Sequence, residues 1–405
     1  MNISEIREYF LSHDFSTYER DNYDNFIKSQ KFSFPIKSIH ITGTNGKGSV
    51  AKYLTNIYQS EGYKVGLYNS PFLSDVTEMI SINNKNISSE EYASLFNEFY
   101  NEFEKYNLSS FEIQTYIAYI YFLRNNVDLA IIEVGMGGYI DATNIITPIL
   151  SIITSVSLEH TSYLGRSVSE IAANKAGIIK NEVPSLVGKL DESAMYAIKE
   201  RTEDVNSKLY VVNDYYSERV ENNHLIFDYY PYLNVELNTL SEYQLKNASI
   251  AIEATRILSN EIKVSEESIR KGLLMDLLPC RYEYINEHIL IDGGHNPEAI
   301  GELVKSLTKS NDKPIHVIFA AFKDKNIEQM LVKLSSISED ISLTTFPHKR
   351  ARTEEDYFLY LGDYSFTEDY KSLINSKISE FPDDLILITG SLAFAGLVRS
   401  FLKGK

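Results

Sequence analysis

Two hydrophobic periods alternate along the chain. Short, nearly continuous apolar runs occur at Ile39 to Thr42, Lys64 to Tyr68, Val127 to Val134 and Ile149 to Val156, as buried parallel strands require. Between them apolar positions fall three and four apart. Val50, Leu54, Ile57 and Tyr58 share one face of a helix that ends at Glu61-Gly62, and Ser88 to Glu91 reads as a capping box opening a helix to about Tyr106. Phe111 to Leu123 reads as a more apolar helix, and Val168 to Ile179 as another. Ahead of the first strand, residues 1–34 read as helical and polar, with Ile3, Ile6, Tyr9 and Phe10 in register for packing. Residues 182–240 read as short strands and turns, a small β insertion covering one side of the core, before a helix over Tyr243 to Leu258. After Leu277 to Glu283 the strand–helix grammar restarts, with strands at Ile289 to Ile291, His316 to Ala320, Ser342 to Phe346 and Leu385 to Thr389.

The first strand runs into Gly43-Thr44-Asn45-Gly46-Lys47-Gly48-Ser49. Strand, glycine loop and helix N-terminus together cradle a phosphate: backbone N–H groups turn inward, the helix end adds positive potential, and Lys47 adds a full charge. Ser49 is placed to offer a hydroxyl to Mg²⁺. The spacing differs from the common phosphate loop, because Gly48 separates Lys47 from Ser49. The expected fold is α/β. An N-terminal phosphate-loop ATPase domain with a small β insertion spans residues 1–278, a linker residues 279–284, and a smaller Rossmann-like C-terminal domain residues 285–405.

With 405 residues, each domain can bury its own core. The formal net charge of −17 argues against a general binder of nucleic acid or anionic membrane. One cysteine, Cys280, excludes an intrachain disulfide and a cysteine-built metal site. Residues 1–9 lack a signal peptide's apolar core, and Tyr116 to Leu123, the longest apolar run, is too short to span a bilayer. A cytoplasmic protein is expected. The 29 tyrosines beside no tryptophan read as codon usage more than function.

Further polar residues stand at strand ends, where open α/β sheets gather ligands. Ser70 precedes Pro71 after the second strand. Glu133 ends a buried strand beside Gly135-Met136-Gly137-Gly138, placed either to cap that loop or to meet Mg²⁺ directly or through water. His160 follows the strand over Ile149 to Val156 and reads equally as structural or as a ligand. Lys175 lies in a helix, where a lysine is ordinarily a solvated charge. Asp292 and His295 follow the first C-terminal strand. Since that domain has no phosphate loop of its own, they are expected to serve a site shared with the first.

Taken together these segments resemble the folylpolyglutamate and dihydrofolate synthases of the Mur ligase superfamily, which are ATP-dependent amide-bond ligases. The resemblance spans essentially the whole chain. It rests on Gly43 to Ser49, on Glu133 to Gly138 with Asp141-Ala142-Thr143-Asn144, on Leu164-Gly165 through Lys175-Ala176-Gly177-Ile178, and on Arg281, Asp292 to Pro297 and Gly390-Ser391-Leu392. It implies ATP bound by Gly43, Thr44, Asn45, Gly46, Lys47, Gly48 and Ser49 together with Asn247, Arg281 and Asp292. Ser70, Glu133 and His160 are then magnesium ligands, for as many as two ions. Lys175 matches a lysine that is carbamylated in this family, which turns a cation into a further metal ligand. Lys47, Lys175 and His295 become the catalytic candidates, and Phe72, Phe111, Asp141 and Thr143 the substrate side. The implied partners are ATP, L-glutamate and folate or dihydropteroate, acting on a monomer.

Departures from the family pattern fall on the substrate side. Phe72 stands where a histidine is usual, Met79 and Tyr139 where arginines are, and Glu159 precedes His160 in place of aspartate. Two rival readings follow: a Mur-type ligase acting on another carboxylate, and a non-catalytic nucleotide-binding protein. The first lacks the N-terminal UDP-binding domain of a typical cell-wall member; joint retention of Lys47, Glu133, His160 and Lys175 opposes the second.

Overall fold

The computed structural model describes residues 1–12 and 20–404. Its packing divides the chain into one unit of residues 1–215 and 246–275 and another of residues 216–245 and 276–405. The sequence reading cut the chain at residues 278 and 285 and kept residues 216–245 with the first domain.

The first unit opens with α1 (Ile3–Ser12) and α2 (Arg20–Ser29); of the segment expected to be helical, residues 13–19 lie outside the described residues. There follow β1 (Ser38–Thr42), α3 (Lys47–Glu61), β2 (Val65–Tyr68), β3 (Ile80–Ile82), β4 (Lys85–Asn86), α4 (Ser89–Lys105), α5 (Ser110–Arg124), β5 (Leu129–Glu133), β6 (Leu150–Ile153), α6 (Thr161–Leu164), α7 (Val168–Ala176), β7 (Ser185–Val187), α8 (Glu192–Asp204) and β8 (Leu209–Val211). The sheet order is β4-β3-β2-β5-β1-β6-β7-β8, parallel from β2 to β8. β1 is central, and the chain leaves it toward β2 on one side and toward β6 on the other. Its carboxyl end is therefore the switch point where an open α/β sheet forms a crevice.

Local chemistry sets several of these boundaries. Ser88 and Ser109 each accept a hydrogen bond from the backbone N–H three residues on, and Glu91 and Glu112 reach back to complete capping boxes on α4 and α5. A serine cap of this kind stabilises a helix by about 1 kcal/mol. The core under these helices is aromatic, with Tyr23, Phe26, Tyr68, Tyr92, Phe96, Phe103, Tyr119 and Phe122 fully buried. Tyrosine is thus a core-filling residue here, which gives its abundance a packing role beyond codon usage.

Residues 182–215 correct the sequence reading. They carry no β insertion: β7 and β8 extend the large sheet, and α8 lies between them. That helix buries only Ala194, Ala197, Ile198 and Thr202, a face too small to show as an apolar stripe. The insertion proper is β9 (Tyr216–Glu221), β10 (His224–Tyr229) and β11 (Tyr232–Leu237), an antiparallel sheet in the second unit. After it, Leu240 and Tyr243 pack on that unit's core, and Lys305 and Lys309 both pair with the buried Glu242. α9 (Tyr243–Ile257), whose residues from Lys246 on belong to the first unit, and α10 (Glu266–Leu273) return the chain there.

The rest of the second unit is β12 (Glu283–Asn286), β13 (Ile289–Ile291), α11 (Pro297–Ser310), β14 (Ile315–Phe319), α12 (Ile327–Leu334), β15 (Asp340–Thr344), β16 (Ser365–Thr367), α13 (Tyr370–Glu380), β17 (Leu385–Thr389) and α14 (Leu392–Lys403). The order β12-β13-β17-β14-β15-β16 is parallel apart from β12. Cys280 is buried here, its N–H donating to Glu283 Oε2 at 2.8 Å, and burial pushes its thiol up to about 12. Among the described residues no helix is long and apolar enough to cross a membrane.

Candidate active site

In the first unit the site is built from loops that leave adjacent strand ends. The phosphate loop follows β1. Gly46 caps α3 in the left-handed region (φ 87°), and a Cβ there would collide with Asn247 Oδ1, so only glycine lets the loop lie against α9. Thr44 N–H donates to Ser155 O and Asn45 N–H to Ser155 Oγ, both at 2.9 Å, while Thr154 Oγ1 donates to Asn45 O at 2.6 Å. Thr154 and Ser155, at the end of β6, went unremarked in the sequence; their polar run before Glu159 was the available signal. Lys47 Nζ donates to Gly43 O at 2.9 Å and Thr44 O at 3.3 Å, which folds the ammonium over its own loop. Ser49 is buried in the first turn of α3.

The loop after β5 lies between those of β2 and β1. Ser70 N–H points at Glu133 Oε2 at 3.4 Å, so two expected metal ligands are brought together. Thr42 Oγ1 donates to Gly137 O at 2.5 Å and ties the β1 end to the glycine loop. His160 caps α6 in the left-handed region (φ 50°), its Nε2 3.8 Å from Glu159 Oε1. A non-glycine residue in that region is a local cost that clusters at functional sites.

Lys175 is 3 % exposed near the end of α7. Burial, and then the positive charge of Lys47, lower its pKa to about 7 against the opposing pull of Glu159 and Asp141. A lysine in this state carries a free amine over much of the neutral range, a property set by burial among distant segments.

Among the described residues no group of three or more His, Cys, Asp or Glu side chains is arranged to hold a metal ion. The expected set contains two such side chains, Glu133 and His160, with the Ser70 hydroxyl and Lys175. It offers two oxygen donors, Glu133 and Ser70, beside the His160 nitrogen, which suits Mg²⁺ that keeps water in its remaining positions, and a carbamate on Lys175 would add the anionic oxygens a second ion needs.

Asp141 and Thr143, expected on the substrate side, are joined in a buried hydrogen-bonded chain under the glycine loop. Thr143 is fully buried. Its hydroxyl donates to Asp141 Oδ1 at 2.6 Å and lies 2.8 Å from His40 Nε2; Asp141 Oδ2 accepts from Met136 N–H at 2.9 Å. Because the hydroxyl proton goes to Asp141, His40 supplies the Nε2–H, and burial holds that imidazole neutral by lowering its pKa to about 3. The chain His40, Thr143, Asp141 fixes the glycine loop from below. A Thr143→Val variant leaves Asp141 and His40 facing a methyl group, so a loss of about 2 kcal/mol is expected as a lower midpoint in chemical denaturation. Phe111 packs at Gly135, where a Cβ would sit 2.5 Å from its ring, and Phe72 is 41 % exposed after the Ser70–Pro71 bond.

In the second unit Asp292 is fully buried and accepts from Tyr243 Oη (2.8 Å), Tyr282 N–H (2.9 Å) and Gly294 N–H (2.8 Å). Burial raises its pKa against these donors and the charge of Arg281. It organises the turn that carries His295, whose Nδ1 lies 3.1 Å from Gly293 O. Both carboxylate oxygens accept hydrogen bonds within the unit.

The comparisons with known proteins agree along the chain. Residues 41–255 match the Mur ligase middle domain and residues 280–392 the Mur ligase glutamate ligase domain. The chain is 31% identical over 391 residues to the dihydrofolate synthase/folylpolyglutamate synthase of Bacillus subtilis (strain 168), covering 91% of each. It superimposes on the apo form of L. casei FPGS with a TM-score of 0.89, at 28% identity over 100% of both chains. An FPGS-AMPPCP-folate complex aligns with a TM-score of 0.88, at 29% identity over 99% of this chain and 100% of that one.

Proposed function

The chain belongs to the Mur ligase family, among the folylpolyglutamate and dihydrofolate synthases, and from that premise we propose that it joins L-glutamate to the carboxylate of a folate-type acceptor at the expense of ATP. The observation that carries this reading is the first unit's juxtaposition of a phosphate loop with Lys47, a Glu133–Ser70 pair and a buried lysine of depressed pKa.

A carboxylate oxygen is a poor leaving group, so the acceptor needs activation before an amine can displace it. Attack of the acceptor carboxylate on the γ-phosphoryl of ATP forms a C–O–P linkage and releases ADP. The α-amine of glutamate then attacks the acyl carbon, forming the amide, expelling phosphate and losing a proton to solvent. Loop amides of Gly43 to Ser49 and the Lys47 ammonium hold the phosphates and offset charge that grows as the phosphoryl group transfers. Asn247 borders the nucleotide, with Arg281, Asp292 and His295 assigned to the second unit's part in the reaction. Ser70, Glu133 and His160 would hold Mg²⁺, with Ser49 and a carbamylated Lys175 serving a second ion; bound there, the metal supplies charge neutralisation of phosphate oxygens. Lys175 acquires the carbamate when its free amine adds to CO₂ and releases a proton. The working setting is the cytoplasm, with the protein acting as a monomer on small molecules.

Glutamate-dependent ADP release with dihydropteroate, tetrahydrofolate or a UDP-linked cell-wall precursor tests the reading. Release with at least one folate-type acceptor and none with the UDP-linked one is expected. The reverse pattern transfers the chain to the rival Mur-type ligase, and silence with all three rejects the proposed reaction.

A further inference from the structure

We infer that Tyr139 is an acceptor-binding residue, whose ring, held on an immobilised backbone beside Lys175, stacks on the planar aromatic part of the acceptor and sets its affinity. This rests on the function proposed above. Tyr139 is 68 % exposed. Its phenol makes no hydrogen bond, and its ring no ring contact, among the described residues.

At Tyr139 the backbone is tied on three sides. Its N–H donates to Asn174 O at 3.0 Å, and its carbonyl accepts from Asn144 Nδ2 at 3.2 Å. The same amide nitrogen donates to Gly177 O at 3.1 Å, so one side chain stitches the loop to the end of α7. Gly177 lies so near that a Cβ there would come 2.5 Å from Tyr139 Cα, and a Cβ on Gly138 would come 2.8 Å from Lys175 O. Two absent side chains are thus needed to seat this residue. Packing of that closeness costs conformational choice at both glycines, yet it leaves the tyrosine largely exposed. What it secures is a fixed origin for a ring pointing away from the protein.

The ring also stands in the right company. The loop that follows Glu133, the last residue of β5, contacts the end of the helix that holds Lys175. The loop after β2, the strand beside β5, carries Phe72, and there too the turn is fastened: Leu73 and Ser74 N–H both donate to Glu78 Oε2, at 2.8 and 3.2 Å. Met136 and Ile140, on either side of Tyr139, are exposed as well. Apolar and aromatic surface is thereby concentrated at the carboxyl ends of two adjacent strands, bordering the charged groups. A planar aromatic acceptor with a carboxylate at its far end has the complementary layout, and a pre-positioned ring lowers the ordering cost of binding it.

The test is steady-state kinetics of Tyr139→Ala and Tyr139→Phe, with each folate-type acceptor varied at saturating ATP and glutamate. For Tyr139→Ala the acceptor KM is expected to rise about five- to tenfold while the KM for ATP stays within about twofold of wild type. Tyr139→Phe is expected to restore the acceptor KM, because stacking needs the ring and not the hydroxyl. An unchanged acceptor KM in an active Tyr139→Ala enzyme overturns the inference and leaves the ligase reading standing. So does a Tyr139→Phe enzyme as impaired as Tyr139→Ala. A wild-type protein that turns over no folate-type acceptor removes the functional reading itself, and the inference with it.

Discussion

Lys47→Ala should lower glutamate-dependent ADP release by roughly a hundred- to a thousandfold, the cost of removing one pre-positioned charge from a transferring phosphoryl group. In the free loop the ammonium rests on the carbonyls of Gly43 and Thr44, so its donors are already gathered where the phosphates are expected. Loss of two hydrogen bonds from a loop that Thr154 and Ser155 also hold leaves the fold intact, and the melting temperature serves as the control. Lys47→Arg is expected to recover little, since a planar fork does not present the same point charge in a space shaped by glycines. ADP release near wild type in Lys47→Ala removes this lysine from the chemistry.

The second large effect is expected at Lys175. Lys175→Met keeps the buried volume and removes the amine, and activity should fall by roughly a hundredfold, consistent with loss of a charge-stabilising group. Wild-type enzyme stripped of CO₂ should lose activity and regain it on addition of bicarbonate, whereas Lys175→Met should respond to neither treatment. The sign of the pH effect follows from the depressed pKa. In the unfolded chain the amine stays protonated to about 10.5, and in the folded chain only to about 7. Between those values the unfolded state binds more protons, so this group makes the CO₂-free protein more stable as pH rises through the window. Lys175→Met should flatten that rise, which a series of denaturation midpoints from pH 7 to 10 can detect. A variant that retains both bicarbonate response and activity removes the carbamate.

What could be read without coordinates follows from how local each signal is. The phosphate loop was legible because its glycines, its lysine and the flanking strand and helix are contiguous, and β5 was legible as an unbroken apolar run ending in a carboxylate. The capping box at Ser88 is a four-residue pattern, readable from Ser88 and Glu91 alone. By contrast α8 was missed because its buried face is two alanines, one isoleucine and a threonine, too slight to separate from a turn-rich background. β7 and β8 have three residues each, and only their pairing with β6 makes them strands of the large sheet.

Site residues followed the same rule. Ser70 and Glu133 could each be placed at or just past a strand's carboxyl end, while their common role as metal ligands was implied by the resemblance. The bracing role of Thr143 was not legible, since its partner His40 lies about a hundred residues away in β1 and no local pattern marks that contact. Burial around Lys175 is likewise a sum over distant segments. The resemblance supplied its chemistry, while its depressed pKa needed the fold.

The seat of Cys280 has a practical consequence for measuring motion. Its thiol is buried, and the thiolate that would react is disfavoured until about pH 12, so maleimide or nitroxide reagents pass it by at neutral pH. The natural sequence is thereby a silent background for spectroscopic rulers. One cysteine engineered on the surface of each unit gives a label pair with no third site, and its distance distribution with and without nucleotide reports in solution whether the spacing of the two labels changes on binding.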